Sequence, residues 1–115
     1  MTTQQIQAKR QQLLNQLAPL DQLRRGSLID QLVTVKRKDG SQIRRGPYPL
    51  FTSKRQGKTV SRRLTNPTHA SLYRQQIQAM RQFEQIIAQL ISLGEALSER
   101  ALQEATAPKK TTPLP

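Results

Sequence analysis

The chain's 115 residues carry 19 basic and 7 acidic side chains, a net charge of +12, which allows one domain at most, with tails. Cys and Trp are absent and His is single, excluding a disulfide scaffold and a Cys-based zinc site. Leu, Ile, Val and Phe total 27 residues, enough for a small core but not for a deep enzymatic cleft. There is no run of 18 apolar residues and no basic-then-apolar N-terminus. The expectation is a cytoplasmic protein that neither spans a membrane nor carries a usual secretion signal.

Residues 1–25 read as an N-terminal helical arm. Ile6, Leu13, Leu14 and Leu17 fall near helical spacing from Gln4 to Leu17, with Thr2 or Thr3 as cap and Pro19 as stop. A short second helical piece, Leu20 to Arg25, is expected to end at Gly26.

Residues 26–65 read as a basic β-hairpin region. Leu28-Ile29 and Leu32-Val33-Thr34-Val35 lead into Asp39-Gly40, a signal for a type I′ turn, with Ser41 to Arg45 as the partner strand. Gly46-Pro47-Tyr48-Pro49 closes that strand. A second hairpin, Leu50–Arg55 and Lys58–Leu64, then turns at Gln56-Gly57. A two-residue turn would place Arg55 opposite Lys58, Ser53 opposite Val60 and Phe51 opposite Arg62. Phe51, Ser53, Val60 and Leu64 would then rest on a helix, with Thr52, Lys54, Thr59, Ser61 and Arg63 on the other face. Arg62 on the apolar face is the flaw in this register.

Residues 66–104 read as one long amphipathic helix, with Asn66 as cap and Pro67 in the first turn. Phe83, Ile86, Leu90, Leu93 and Leu97 make a coiled-coil-like seam, beside a stripe of Tyr73, Ile77, Met80, Ile87 and Ile91. The seam would pack on residues 4–17, form a homodimer, or dock a larger protein. Residues 105–115, with three prolines, read as a disordered tail. The expected fold class is α+β: two basic hairpins in a small antiparallel sheet, an N-terminal helix and a long C-terminal helix.

Arg45-Gly46-Pro47-Tyr48 and Lys58-Thr59-Val60-Ser61-Arg62 ahead of the long helix resemble a family of small prokaryotic proteins. That family typically shows Gly-Ser-Leu, a Cys-containing knuckle, Gly-Pro-Tyr-Tyr and Gly-Lys-Thr-x-Ser-Arg. Gly26-Ser27-Leu28, Gly46-Pro47-Tyr48 and Gly57 to Arg62 match these motifs, so the likeness covers roughly residues 26–100. The knuckle cysteines are replaced by Val35 to Gln42, and Pro49 stands where a second aromatic would be, so no metal role carries over. The resemblance implies no established activity, but it implies a gene neighbourhood shared with transposases.

Charge placement carries the functional expectation. Residues 34–63 hold ten basic side chains against Asp39 alone, a net charge of +9, while the flanks are near balance. Lys36, Arg37, Lys38, Arg44, Arg45, Lys54, Arg55, Lys58, Arg62 and Arg63 can follow a phosphate backbone, each contact releasing counterions. Arg also fits phosphate or a guanine edge bidentately. A merely solvated basic surface is the plainer alternative. His69 has no partner that the sequence places beside it, the carboxylates form no evident pair, and the glycines are scattered singly. The expectation is therefore a non-enzyme without cofactor or metal, binding nucleic acid, with DNA favoured over RNA and duplex over single strand. Service to a mobile element would suit the resemblance. The alternatives are a protein–protein adaptor docking a larger enzyme through the long helix, and an RNA-binding subunit of a ribonucleoprotein.

Overall fold

Thr2 starts the first helix with a reciprocal cap: its hydroxyl accepts from the Gln5 N–H at 3.1 Å, and its own N–H donates to Gln5 Oε1 at 2.8 Å. The structure, a computed structural model, describes residues 1–106, and the element order is α1 (Thr3–Leu17), β1 (Ser27–Lys36), β2 (Gln42–Arg55), β3 (Lys58–Arg63) and α2 (Pro67–Thr106). The fold is α+β, with a three-stranded antiparallel sheet in the order β1-β2-β3. No helix of the described residues is long and apolar enough to cross a membrane.

Two of the expected elements are corrected. Leu20 to Arg25 is not helical. A piece that short nucleates poorly, and its backbone is held elsewhere: Arg24 N–H donates to the Gln76 carbonyl at 3.2 Å. Its guanidinium also donates from Nε to Gln76 Oε1 at 2.8 Å and lies 3.9 Å from the Tyr73 ring centroid. Gly46 to Pro49 does not close a strand either; β2 runs through it for 14 residues. Between the pairs Gln31–Tyr48 and Val33–Arg45, β2 carries two residues, Gly46 and Pro47, against Leu32 alone on β1. This bulge takes up Pro47, which has no N–H for the ladder. Pro49 is accommodated differently. Its carbonyl accepts from Leu64 N–H at 2.9 Å, so its missing donor faces the β3 side just past the last paired residue, Arg63.

The second hairpin has the expected register: Arg55 pairs with Lys58, Ser53 with Val60 and Phe51 with Arg62. Its turn has positive φ at both Gln56 (52°) and Gly57 (78°), the I′ signature. The first hairpin differs from expectation. Asp39 does not take positive φ; only Gly40 does, at 87°. Arg37 N–H donates to the Ser41 carbonyl at 2.8 Å and Gly40 N–H to the Arg37 carbonyl at 3.0 Å. The loop is thus Lys38-Asp39-Gly40, a type I turn closed by one left-handed residue.

The described residues gather into two units: Leu20–Gln82, and Met1–Pro19 together with residues 83–106. In the first, Phe51, Leu64, Ala70 and Ile77 form the buried cluster, with Leu28 and Tyr73 packed against it. Phe51 and Tyr73 meet edge to face at 5.0 Å. Gly26 enters β1 so close to Phe51 that a Cβ there would lie 2.6 Å from the ring. Val60, expected on the buried face, is 48% exposed. In the second unit, Ile6 and Leu13 of α1 and Ile86 of α2 are buried, and Phe83, Leu90, Leu93 and Leu97 are half-buried. Leu13 of α1 lines a groove with Leu93 of α2, and Arg100 donates to the Thr3 hydroxyl at 3.4 Å, so the seam meets α1 within the chain. Ile91, from the neighbouring stripe, is 55% exposed. Asn66 caps α2 through its side-chain oxygen, which accepts from Thr68 and His69 N–H. The helix runs to Thr106, two residues beyond its expected end, and the rest of the expected tail lies outside the described residues.

Candidate nucleic-acid interface

Strand pairing divides the ten cations by position and by face. The two turns of a three-stranded meander lie at opposite ends of the central strand, and β2 spans about 40 Å at its 14-residue length. Lys36, Arg37, Lys38, Arg44 and Arg45 gather near the first turn. Lys54, Arg55 and Lys58 flank the second, and Arg62 and Arg63 end β3. The ten do not form one patch.

Side-chain alternation separates them again. Phe51, Leu64 and Leu28 mark the sheet face under α2, and Arg62, Lys58 and Arg55 share it by register. The open face carries Arg63 and Lys54, with Thr52 and Ser61 directly opposed and their hydroxyl oxygens 3.4 Å apart. On this face Arg63 stacks on Tyr48 at 4.4 Å. All ten cations are exposed.

Their electrostatic state is the decisive feature. Among the described residues the single ion pair is Arg74 with Asp30, at 3.1 Å, and none of the ten takes part in it. Asp39, the one carboxylate among them in sequence, is engaged by Ser41 instead. Its Oδ1 accepts from the Ser41 hydroxyl at 2.6 Å and the Ser41 N–H at 2.9 Å. Those bonds hold the Asp39 carboxyl below its ordinary value, so at neutral pH it stays ionised and fixes the turn.

Arg62 is the exception to full availability. Its guanidinium donates to the Tyr73 hydroxyl and sits 5.7 Å from that ring, which explains how a cation fits on the face of Phe51. Sequence reasoning missed Arg24, whose guanidinium lies 3.9 Å from the Tyr73 ring centroid and 5.8 Å from that of Phe51. Irregular backbone gives no periodicity, so nothing in the sequence marked it. It also missed Arg74, which with Tyr48, Arg63 and Ser71 lines an open groove of about 580 Å³. His69 borders a separate groove beside Arg62 and Arg63, with its backbone N–H taken by the cap.

Comparison with family models, with curated proteins and with solved structures gives no match to this chain.

Proposed function

We propose that this protein is a non-enzymatic nucleic-acid-binding protein that grips a duplex, DNA in preference to RNA, through its phosphate backbone. The observation that carries this reading is the set of ten exposed cations of which, among the described residues, none is neutralised by a carboxylate. Cations satisfied internally would gain little from an external polyanion. These ten keep their counterions until a phosphate displaces them. Thr52, Thr59 and Ser61, interleaved with them, supply neutral donors for phosphate oxygens.

The aromatic residues favour a duplex over a single strand. Stacking platforms need exposed rings. Phe51 is buried, Tyr73 and Phe83 are half-buried, and Tyr48 is half-buried with Arg63 over its ring. The preference for DNA and the link to a mobile element rest on the resemblance in Gly46-Pro47-Tyr48 and Gly57 to Arg62. The adaptor reading is weakened by α1, which already lines the seam of α2. Fluorescence anisotropy with duplex DNA, an RNA hairpin and poly-glutamate across a salt series tests the proposal. Tightest binding to the DNA duplex, weakening steeply with salt, is expected. A preference for poly-glutamate overturns it.

A further inference from the structure

The two outer edges of the sheet differ in kind. β3 closes one side with Lys58, Arg62 and Arg63 among its six residues, charges that discourage another strand from pairing there. β1 closes the other side with ten residues, of which only Asp30 and Lys36 are charged and none is Gly or Pro. Ile29 and Leu32 on this strand are 53% and 56% exposed. A long edge with two charges and no Gly or Pro is a template for strand addition, even with the bulge that β2 carries opposite Leu32.

The hydrogen-bond phase shows which backbone groups that edge presents. The Pro49 carbonyl faces Leu64 on the β3 side, so the next residue, Leu50, turns toward β1 and its pair Ile29 turns inward. At the far end Arg37 N–H donates inward to the Ser41 carbonyl, in the same phase. Asp30, Leu32, Thr34 and Lys36 therefore direct their N–H and C=O groups outward. Among the described residues no hydrogen bond reaches those groups.

We propose that β1 pairs antiparallel with β1 of a second copy of this chain, about a twofold axis at Val33. Outward-facing residues must pair with one another, which restricts the registers to steps of two residues. In the register centred on Val33, Asp30 lies opposite Lys36 of the second copy, and Leu32 lies opposite its Thr34. Asp30, which already pairs with Arg74 at 3.1 Å, then also faces Lys36 of the second copy, whose ammonium has no ion pair among the described residues, on both sides of the axis. Four outward residues per strand give about eight backbone hydrogen bonds. The register centred on Leu32 would instead set Lys36 against Leu28, and Asp30 against Thr34. The joined sheet has six strands, and both of its outer edges are the charged β3. Pairing therefore stops at two copies. This inference stands apart from the nucleic-acid reading.

Sedimentation velocity over a concentration series tests it. The native chain should run as a dimer. Leu32→Lys with Thr34→Lys should give a monomer of unchanged helicity by circular dichroism. Lys36→Asp alone, which leaves the Asp30–Arg74 pair in place, should weaken the dimer at least tenfold, and adding Asp30→Lys should restore it. Should the double lysine variant fail to fold, hydrogen exchange on the native chain serves instead. The Leu32 and Thr34 amides should be protected in concentrated samples and exchange on dilution. A native chain that is monomeric throughout, or a dimer that persists in the folded double lysine variant, overturns the pairing. A native monomer that still binds duplex DNA overturns the pairing and leaves the nucleic-acid reading intact.

Discussion

Replacing Arg37, Lys38 and Arg44 by Ala isolates the first cationic group from the fold. All three are exposed, none is in an ion pair, and none lies on an aromatic ring. The turn closure uses only backbone groups of Arg37, Gly40 and Ser41, which Ala retains. Arg62 and Arg63 are unsuitable for this purpose because they also hold Tyr73 and Tyr48. Each phosphate contact contributes about 0.9 to the slope of log K against log salt, so losing three lowers its magnitude by about 2.7. From about 50 to about 200 mM salt, the affinity of the variant should then fall about 40-fold less than that of the native chain. Anisotropy with a labelled duplex measures both slopes. The control triple, Lys9, Arg10 and Arg81 to Ala, removes equal charge from exposed positions outside the hairpins and should move the slope by less than one contact. An unchanged slope in the hairpin triple, or an equal change in the control, refutes the assignment of phosphate contacts to the first turn.

Four further outcomes follow from the packing. Phe51→Ala should cost about 3–5 kcal/mol in urea unfolding, since it empties the buried cluster and removes the edge-to-face contact with Tyr73. Gly26→Ala should cost more than about 1 kcal/mol by the same measurement, because its φ of 134° is strained for Ala and the Cβ meets Phe51. Ile86→Glu should cost at least about 3 kcal/mol, placing a carboxylate where the side chain is now buried; a loss under about 1 kcal/mol would contradict that burial. For the first turn, Asp39 has a folded-state carboxyl below its ordinary value, so its contribution is present above the unfolded value and lost as pH falls through the folded one. An NMR titration of Asp39 should show this depression in the native chain and a return toward the ordinary value in Ser41→Ala.

Much of the architecture was legible because it rests on local rules. Thr2 as one of two candidate caps, Asn66 with Pro67, and Gln56-Gly57 between alternating segments each satisfy a short-range requirement, and each sits where those requirements put it; the reciprocal bonding of Gln5 with Thr2 was not read from the sequence. The failures share a non-local cause. Leu20 to Arg25 carries helix-forming residues, but Gln76, 52 positions away, captures Arg24. Pro47 and Pro49 look like strand breakers until the bulge and the Leu64 contact show which edge each missing donor faces. Arg62 was a flaw on the apolar face only while Tyr73 was out of view. The candidate cations were plain in the sequence, but their grouping was not. Adjacency of two turns along the chain says nothing of their separation in space once a single strand joins them.

That separation limits what one molecule can hold at once. With its turns about 40 Å apart along β2, a rigid straight duplex shorter than about 12 base pairs is too small to touch both ends. On the proposed reading, a short oligonucleotide reaches the cations of one end and leaves those of the other idle, so affinity should step up once the duplex passes about 12 base pairs.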